Sequence, residues 1–132
     1  MSAYHEPLAE DKLMARTILL VEDDVGIGEI MRDAFREEGP YRVMFAPDGF
    51  EALRIVGRFK PHLFVLDYRL PGMNGIELYD RLHATDGLEN VPALFVSAGI
   101  PSRELEKRHL RSIDKPFELD QLLQTVRQLL VA

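Results

Sequence analysis

Apolar and polar positions alternate in blocks along the chain. Leu63-Phe64-Val65-Leu66 is wholly apolar, with no polar alternation, the pattern of a strand covered on both faces by helices. Thr17 to Val21 and Ala93 to Ser97 are further apolar runs of the same kind, Tyr41 to Ala46 is predicted as a shorter edge strand, and Leu110 to Asp114 as a weak final one. Between them the period changes to that of helices. Asp24 is placed to cap a helix whose apolar positions Ile27, Ile30, Met31, Ala34 and Phe35 recur until Gly39 and Pro40 stop it. Asp48 caps a second helix through about Arg58, with Ala52, Leu53 and Val56 inward, and a third runs from Gly75 to about Ala84. Ser102 to His109 reads as a short, highly charged helix. The last helix is expected to bury Leu119, Leu122, Leu123, Val126, Leu129 and Leu130. Five alternating β and α units predict an α/β domain with a five-stranded, mostly parallel sheet and helices on both faces. Residues 1–14 show no such period and are expected to form a tail with little structure, the domain itself covering 15–132.

The strand ends carry the chemistry. The first run ends in Glu22, Asp23 and Asp24, the third in Asp67, the fourth in Ser97, and the last delivers Lys115 followed at once by Pro116. Parallel strands set all of these along one edge of the sheet, where ligands and reactions sit in open α/β folds. After Asp67, the residues Pro71, Gly72 and Gly75 shape a short loop before the helical pattern resumes at Ile76. Three carboxylates held close repel one another, so the arrangement makes sense around a cation, and Mg²⁺ with its demand for oxygen ligands is the natural choice. The set suits phosphoryl transfer: Asp67 as nucleophile forming an acyl phosphate, with Mg²⁺, Lys115 and Ser97 stabilising the oxygens in flight.

Composition narrows the setting. With 132 residues, 46% of them hydrophobic, the chain suits one domain with one core, and no separate output domain is expected. A net charge of −6 argues against nucleic acid as the main partner, because such binding rests on clustered Lys and Arg, and points to a protein instead. No apolar run is long enough to span a bilayer and the first residues lack the features of a secretory signal, so a cytoplasmic protein without a membrane partner is expected. The absence of cysteine agrees with that compartment.

Four motifs in order, Val21-Glu-Asp-Asp24, Asp67-Tyr-Arg-Leu-Pro-Gly-Met-Asn-Gly75, Val96-Ser-Ala98 and Lys115-Pro-Phe117, give the chain from about Ala15 to Ala132 its resemblance to a response-regulator receiver domain, of the single-domain chemotaxis type. The resemblance implies a flavodoxin-like sheet of strand order 2-1-3-4-5. It further implies phosphorylation of Asp67 by a sensor histidine kinase or phosphotransfer protein, and a downstream protein effector. Such a domain is not an enzyme in its own right but assists its own phosphorylation and dephosphorylation. In the metal shell it implies Asp23 and Asp67 as direct Mg²⁺ ligands, Glu22 through water, and the backbone carbonyl of Arg69. A cis peptide at Lys115-Pro116 comes with the family as well.

The switch is where the chain departs from that pattern. The family pairs the Ser97 position with an aromatic residue three before the Lys, and here that position is Ser112. The two-position aromatic switch should therefore be absent, and the signal is expected to leave through the Gly99 to Leu110 segment. The same departure keeps open an alternative: a receiver-like adaptor that binds partners without being phosphorylated. A phosphatase of the haloacid dehalogenase type would want an acid where Arg69 stands, and a flavodoxin-like cofactor binder would want hydroxyls where Glu22 to Asp24 stand. His5, His62, His83 and His109 share no ligand spacing and receive no role.

Overall fold

The computed structural model describes residues 15–131. The predicted N-terminal tail, residues 1–14, lies outside the described residues. Five strands and five helices alternate: β1 (Arg16–Val21), α1 (Val25–Glu38), β2 (Tyr41–Ala46), α2 (Gly49–Val56), β3 (Leu63–Leu66), α3 (Gly75–His83), β4 (Ala93–Ser97), α4 (Ser102–Lys107), β5 (Arg111–Asp114) and α5 (Leu119–Val131). The strands form one sheet in the order β2-β1-β3-β4-β5, and every pair is parallel.

The apolar strands bury both faces because successive side chains point to opposite sides. Ile18, Leu20, Leu63, Val65, Leu94 and Val96 pack with Met31 and Phe35 of α1 and Leu122, Val126 and Leu130 of α5. Leu19, Val21, Phe64, Leu66, Ala93 and Phe95 pack on the other side with Ala52 of α2, Ile76, Leu78 and Leu82 of α3, and Leu105 of α4. Each fully buried Val, Leu, Ile, Phe or Met among them contributes roughly 1.5–3 kcal/mol. Helix starts follow the sequence. Asp24 accepts from the Ile27 N–H at 3.1 Å and Asp48 from the Glu51 N–H at 2.8 Å. Asn74 and Glu77 form a reciprocal capping box at the head of α3.

Three expectations are corrected. Ile30 and Leu119 are 60% and 39% exposed, because the first turns of α1 and α5 stand at the mouth of the sheet, beside Lys115 to Phe117, with no layer above them. The second helix ends at Val56, not Arg58, and turns through Gly57 to Phe59. The charged helix closes at Lys107 because His109 takes a left-handed φ of 55°. Its N–H bonds the Glu106 carbonyl and the Leu110 N–H bonds that of Leu105, so Leu110 belongs to the turn that closes α4 and does not start β5.

His62 has a structural part that spacing alone does not reveal. Its Nδ1 accepts from the Thr17 N–H at 3.0 Å while its own N–H donates to the Thr17 carbonyl, stitching the entry of β3 to β1. Burial, with Arg16 and Lys60 nearby, holds the imidazole below its usual pKa. The unfolded chain therefore takes up this proton first. The stabilisation is fully present above the unfolded value of about 6.5 and is lost as pH falls through the lower folded value. Comparing unfolding midpoints of wild type and His62→Gln from pH 5 to 8 should show the difference between them widening as pH rises through the 6s.

Candidate functional site

The sheet continues its bonding one residue past the strands, which fixes the heights of the candidate side chains. Glu22 N–H bonds the Ala46 carbonyl, Asp67 N–H the Val21 carbonyl, and Lys115 N–H the Ser97 carbonyl. The four strand ends are thus brought together over the mouth of the sheet. Lys115 follows β5 through a cis bond to Pro116, as expected. The loop after β3 is closed by the Gly75 N–H on the Tyr68 carbonyl at 2.8 Å. A Cβ at Gly75 would lie 2.1 Å from the Asp67 carbonyl oxygen, so only glycine lets the loop return this close to the strand end.

Asp67 is 6% exposed, and both of its carboxylate oxygens are occupied. Oδ1 accepts from Ser97 Oγ at 2.7 Å and from the Arg69 N–H at 3.2 Å, and Oδ2 from Lys115 Nζ at 3.0 Å. Lys115 Nζ also donates to Glu22 Oε1 at 2.6 Å, and Glu22 Oε2 accepts from the Asp24 N–H. Two buried carboxylates thus share one ammonium, and they divide its charge unequally. Burial works to raise the Asp67 carboxyl, but Ser97, Lys115 and Glu22 outweigh it and hold it below the usual range. Burial pushes Glu22 up to about 7 despite its shorter contact with Lys115. Asp67 keeps the negative charge because it has the additional hydroxyl and amide donors. Lys115 is held above its ordinary value, since the two carboxylates outweigh the burial that works against its charge.

The surrounding cleft, about 290 Å³, is lined by Glu22, Asp23, Asp24, Ile27, Asp67, Arg69, Ser97, Ala98 and Lys115. Oxygens of Glu22, Asp23 and Asp67 lie within 4.8 Å of one another. An all-oxygen set of two buried carboxylates and one exposed one fits a hard divalent cation such as Mg²⁺. Asp24 turns aside to cap α1. Ser112 is not brought to the cleft: it sits exposed on edge strand β5, in register with Phe95. Two features escaped the sequence reading. An apolar groove of about 550 Å³, lined by Ile27, Ile30, Lys115, Pro116, Phe117 and Leu119, adjoins the cleft. The Arg69 side chain lies across to Gly99, a contact between two loops that no local signal announces.

Residues 18–127 match the family model of the response regulator receiver domain. The chain belongs to the response-regulator receiver family. Sporulation initiation phosphotransferase F of Bacillus subtilis (strain 168) is 34% identical over 122 residues, covering 89% of this receiver and 96% of that protein. Response regulator MprA of Mycobacterium leprae (strain TN) is 34% identical over 121 residues, and the match covers 86% of this chain but only 50% of MprA. The receiver thus spans nearly all of the first relative and about half of the second. A putative response regulator from Chloroflexus aurantiacus superposes with a TM-score of 0.81 at 28% identity, over 89% of this chain and 99% of that one. The receiver domain of sensor histidine kinase PA1611 from Pseudomonas aeruginosa PAO1 shares the fold, with a TM-score of 0.80 at 24% identity over 89% and 99% of the two chains. It carries a magnesium ion coordinated in its active-site cleft.

Two substitutions in the acidic run separate cap from cleft. Asp24→Ala should cost about 1 kcal/mol of stability through the lost helix cap, while Asp23→Ala should weaken Mg²⁺ binding with little change in stability. Chemical denaturation and metal titration by calorimetry read the two effects, and equal losses of Mg²⁺ affinity would contradict this division. Gly75→Ala should destabilise the receiver by more than ~2 kcal/mol, since the carbonyl of Asp67 cannot yield without moving the strand end. Its unfolding midpoint in urea measures that.

Proposed function

We propose that this receiver accepts a phosphoryl group on Asp67 from the phosphohistidine of a sensor histidine kinase or phosphotransfer protein, as one step of a phosphorelay, and passes the signal to a protein effector. The observation that carries the reading is the Asp67 carboxylate itself, buried and held between Ser97 Oγ and Lys115 Nζ at the floor of an open acidic cleft.

A carboxylate oxygen of Asp67 attacks phosphorus in line with the bond to the donor imidazole. That P–N bond breaks, a P–O bond forms, and the imidazole leaves with the electron pair. Lys115 and Ser97, which bond the two Asp67 oxygens beforehand, transfer their donors to the phosphoryl oxygens where charge gathers. The depressed pKa of Asp67 keeps it in its nucleophilic form at neutral pH. Asp23, Asp67 and the Arg69 carbonyl would hold Mg²⁺ directly, with Glu22 acting through water, and the ion would neutralise charge on carboxylates and phosphoryl group alike. Water reaching the same cleft reverses the modification, aided by the same donors.

The apolar groove supplies a seat for the donor. It shares Ile27 and Lys115 with the cleft, so a helix lying on Ile30, Phe117 and Leu119 brings its histidine to the mouth. The exchange takes place in the cytoplasm on this reading, and no described helix is long and apolar enough to cross a membrane. The exposed Ser112 favours a second reading, an adaptor that works unphosphorylated.

Intact-mass measurement after incubation with Mg²⁺ and a small acyl phosphate separates the two. One phosphoryl addition should appear on the wild type and none on Asp67→Asn. The variant should still fold, because Glu22 retains Lys115 and a buried repulsion is relieved. Undiminished uptake by Asp67→Asn would remove Asp67 from the reaction, and no uptake by the wild type would favour the adaptor.

A further inference from the structure

Arg69 is the cation at the rim of the cleft whose side chain has no carboxylate. Lys115, Arg108, Arg54 and Arg127 each hold one or two acids, whereas among the described residues the Arg69 guanidinium makes no ion pair and no hydrogen bond. Of the acids that line the cleft with it, the two buried ones are already engaged: Lys115, Ser97 and the Arg69 amide occupy Asp67, and Lys115 and the Asp24 amide occupy Glu22. The guanidinium rests instead against the loop between β4 and α4. Its Nη2 lies 3.0 Å from the point a Cβ on Gly99 would occupy. Gly99 has a φ of 75° and stands two residues past Ser97. Glycine is what gives the guanidinium this berth, and the side chain in turn fills the space above the loop.

The loop and the helix behind it are held weakly. α4 has six residues, only Leu105 among them is buried, and its N-cap, Pro101, offers no side-chain bond. At the far end Arg108 ties it to Asp80 of α3 at 2.8 Å and to Glu104. Elements with so few buried contacts open at low free energy.

We propose that Arg69 reads the phosphoryl group and carries the signal to α4. This rests on the reading that Asp67 is the phosphoacceptor. A phosphoryl group there adds an anion with three acceptor oxygens beside a planar fork of five donors that is engaged by nothing else, and guanidinium binds such oxygens in pairs. The side chain leaves Gly99 for these oxygens, and the loop from Gly99 to Leu110 loses its prop. The phosphoryl group gains a contact that also shields it from water. Ser112, small and exposed, takes no part.

The test follows hydrogen exchange and phosphoryl half-life in wild type, Arg69→Ala and Arg69→Lys, with intact mass recorded on the same samples treated with Mg²⁺ and a small acyl phosphate. In the wild type, exchange over residues 99–110 should rise on modification. In unmodified Arg69→Ala that segment should already exchange faster, its response to modification should largely vanish, and the half-life should fall about fivefold for one lost charge-assisted contact. Arg69→Lys keeps the charge without the fork, and should recover part of the half-life but not the exchange response. Wild-type half-life and wild-type response in Arg69→Ala overturn the proposal while leaving the phosphoacceptor reading intact. A wild type whose mass does not change overturns both.

Discussion

A carboxylate set at the exit of a wholly apolar strand has to be answered by its neighbours, and the answer given to Asp67 determines how the rest of the mouth is arranged. Ser97 comes from β4, Lys115 from the end of β5, and Glu22, which competes for Lys115, from the end of β1. These reach one carboxylate only because β3 is the central strand, with β1 on one side and β4 on the other. An isolated buried charge costs several kcal/mol, so any rearrangement that withdrew Ser97 or Lys115 would move Asp67 toward neutrality. Strand order, burial and reactivity are one constraint here. The same crowding keeps Glu22 near the protonation boundary while Asp67 stays charged.

Backbone geometry serves that constraint on the far side of Asp67. The chain must leave the strand, clear the cleft and enter α3 within eight residues, and it does so by passing Gly75 almost against the Asp67 carbonyl. Asn74 and Glu77 then satisfy each other's backbone and lock the helix start. Met73 is tucked under Gly49 at the head of α2, where a Cβ would sit 2.7 Å from its sulfur. The loop carrying Arg69 is therefore anchored at both ends, and its freedom is confined to side chains.

Most of this was legible because burial on two faces leaves a plain mark: Leu63 to Leu66 could hardly be anything but a covered strand, and carboxylates at strand ends point to one edge of a parallel sheet. The misreadings have physical causes. Helical period counts faces without knowing whether a layer stands opposite, so Ile30 and Leu119 scored as core although they overhang the mouth. His109 ends α4 in a left-handed conformation that glycine or asparagine would have announced. The meeting of Arg69 with Gly99 is set by the spacing of two loops 30 residues apart in sequence, and single-chain patterns carry no trace of it.

The helices around the mouth differ in how firmly they are held. On one face of the sheet, α1 and α5 share a continuous core with β1, β3, β4 and Ile113 of β5, and Arg127 pairs with Glu38 across the helices. On the other, α2 and α3 share a core with β1 to β4, and α4 alone contributes a single buried side chain. An element with so few buried contacts opens at low free energy, so the proposed readout falls on α4. The groove proposed for the donor lies on the α1 and α5 face, and the loop proposed for readout leads into α4 on the other. On the proposed reading, donor and effector address the same site from opposite faces of the sheet, α1 and α5 preserving the geometry of transfer while α4 changes shape.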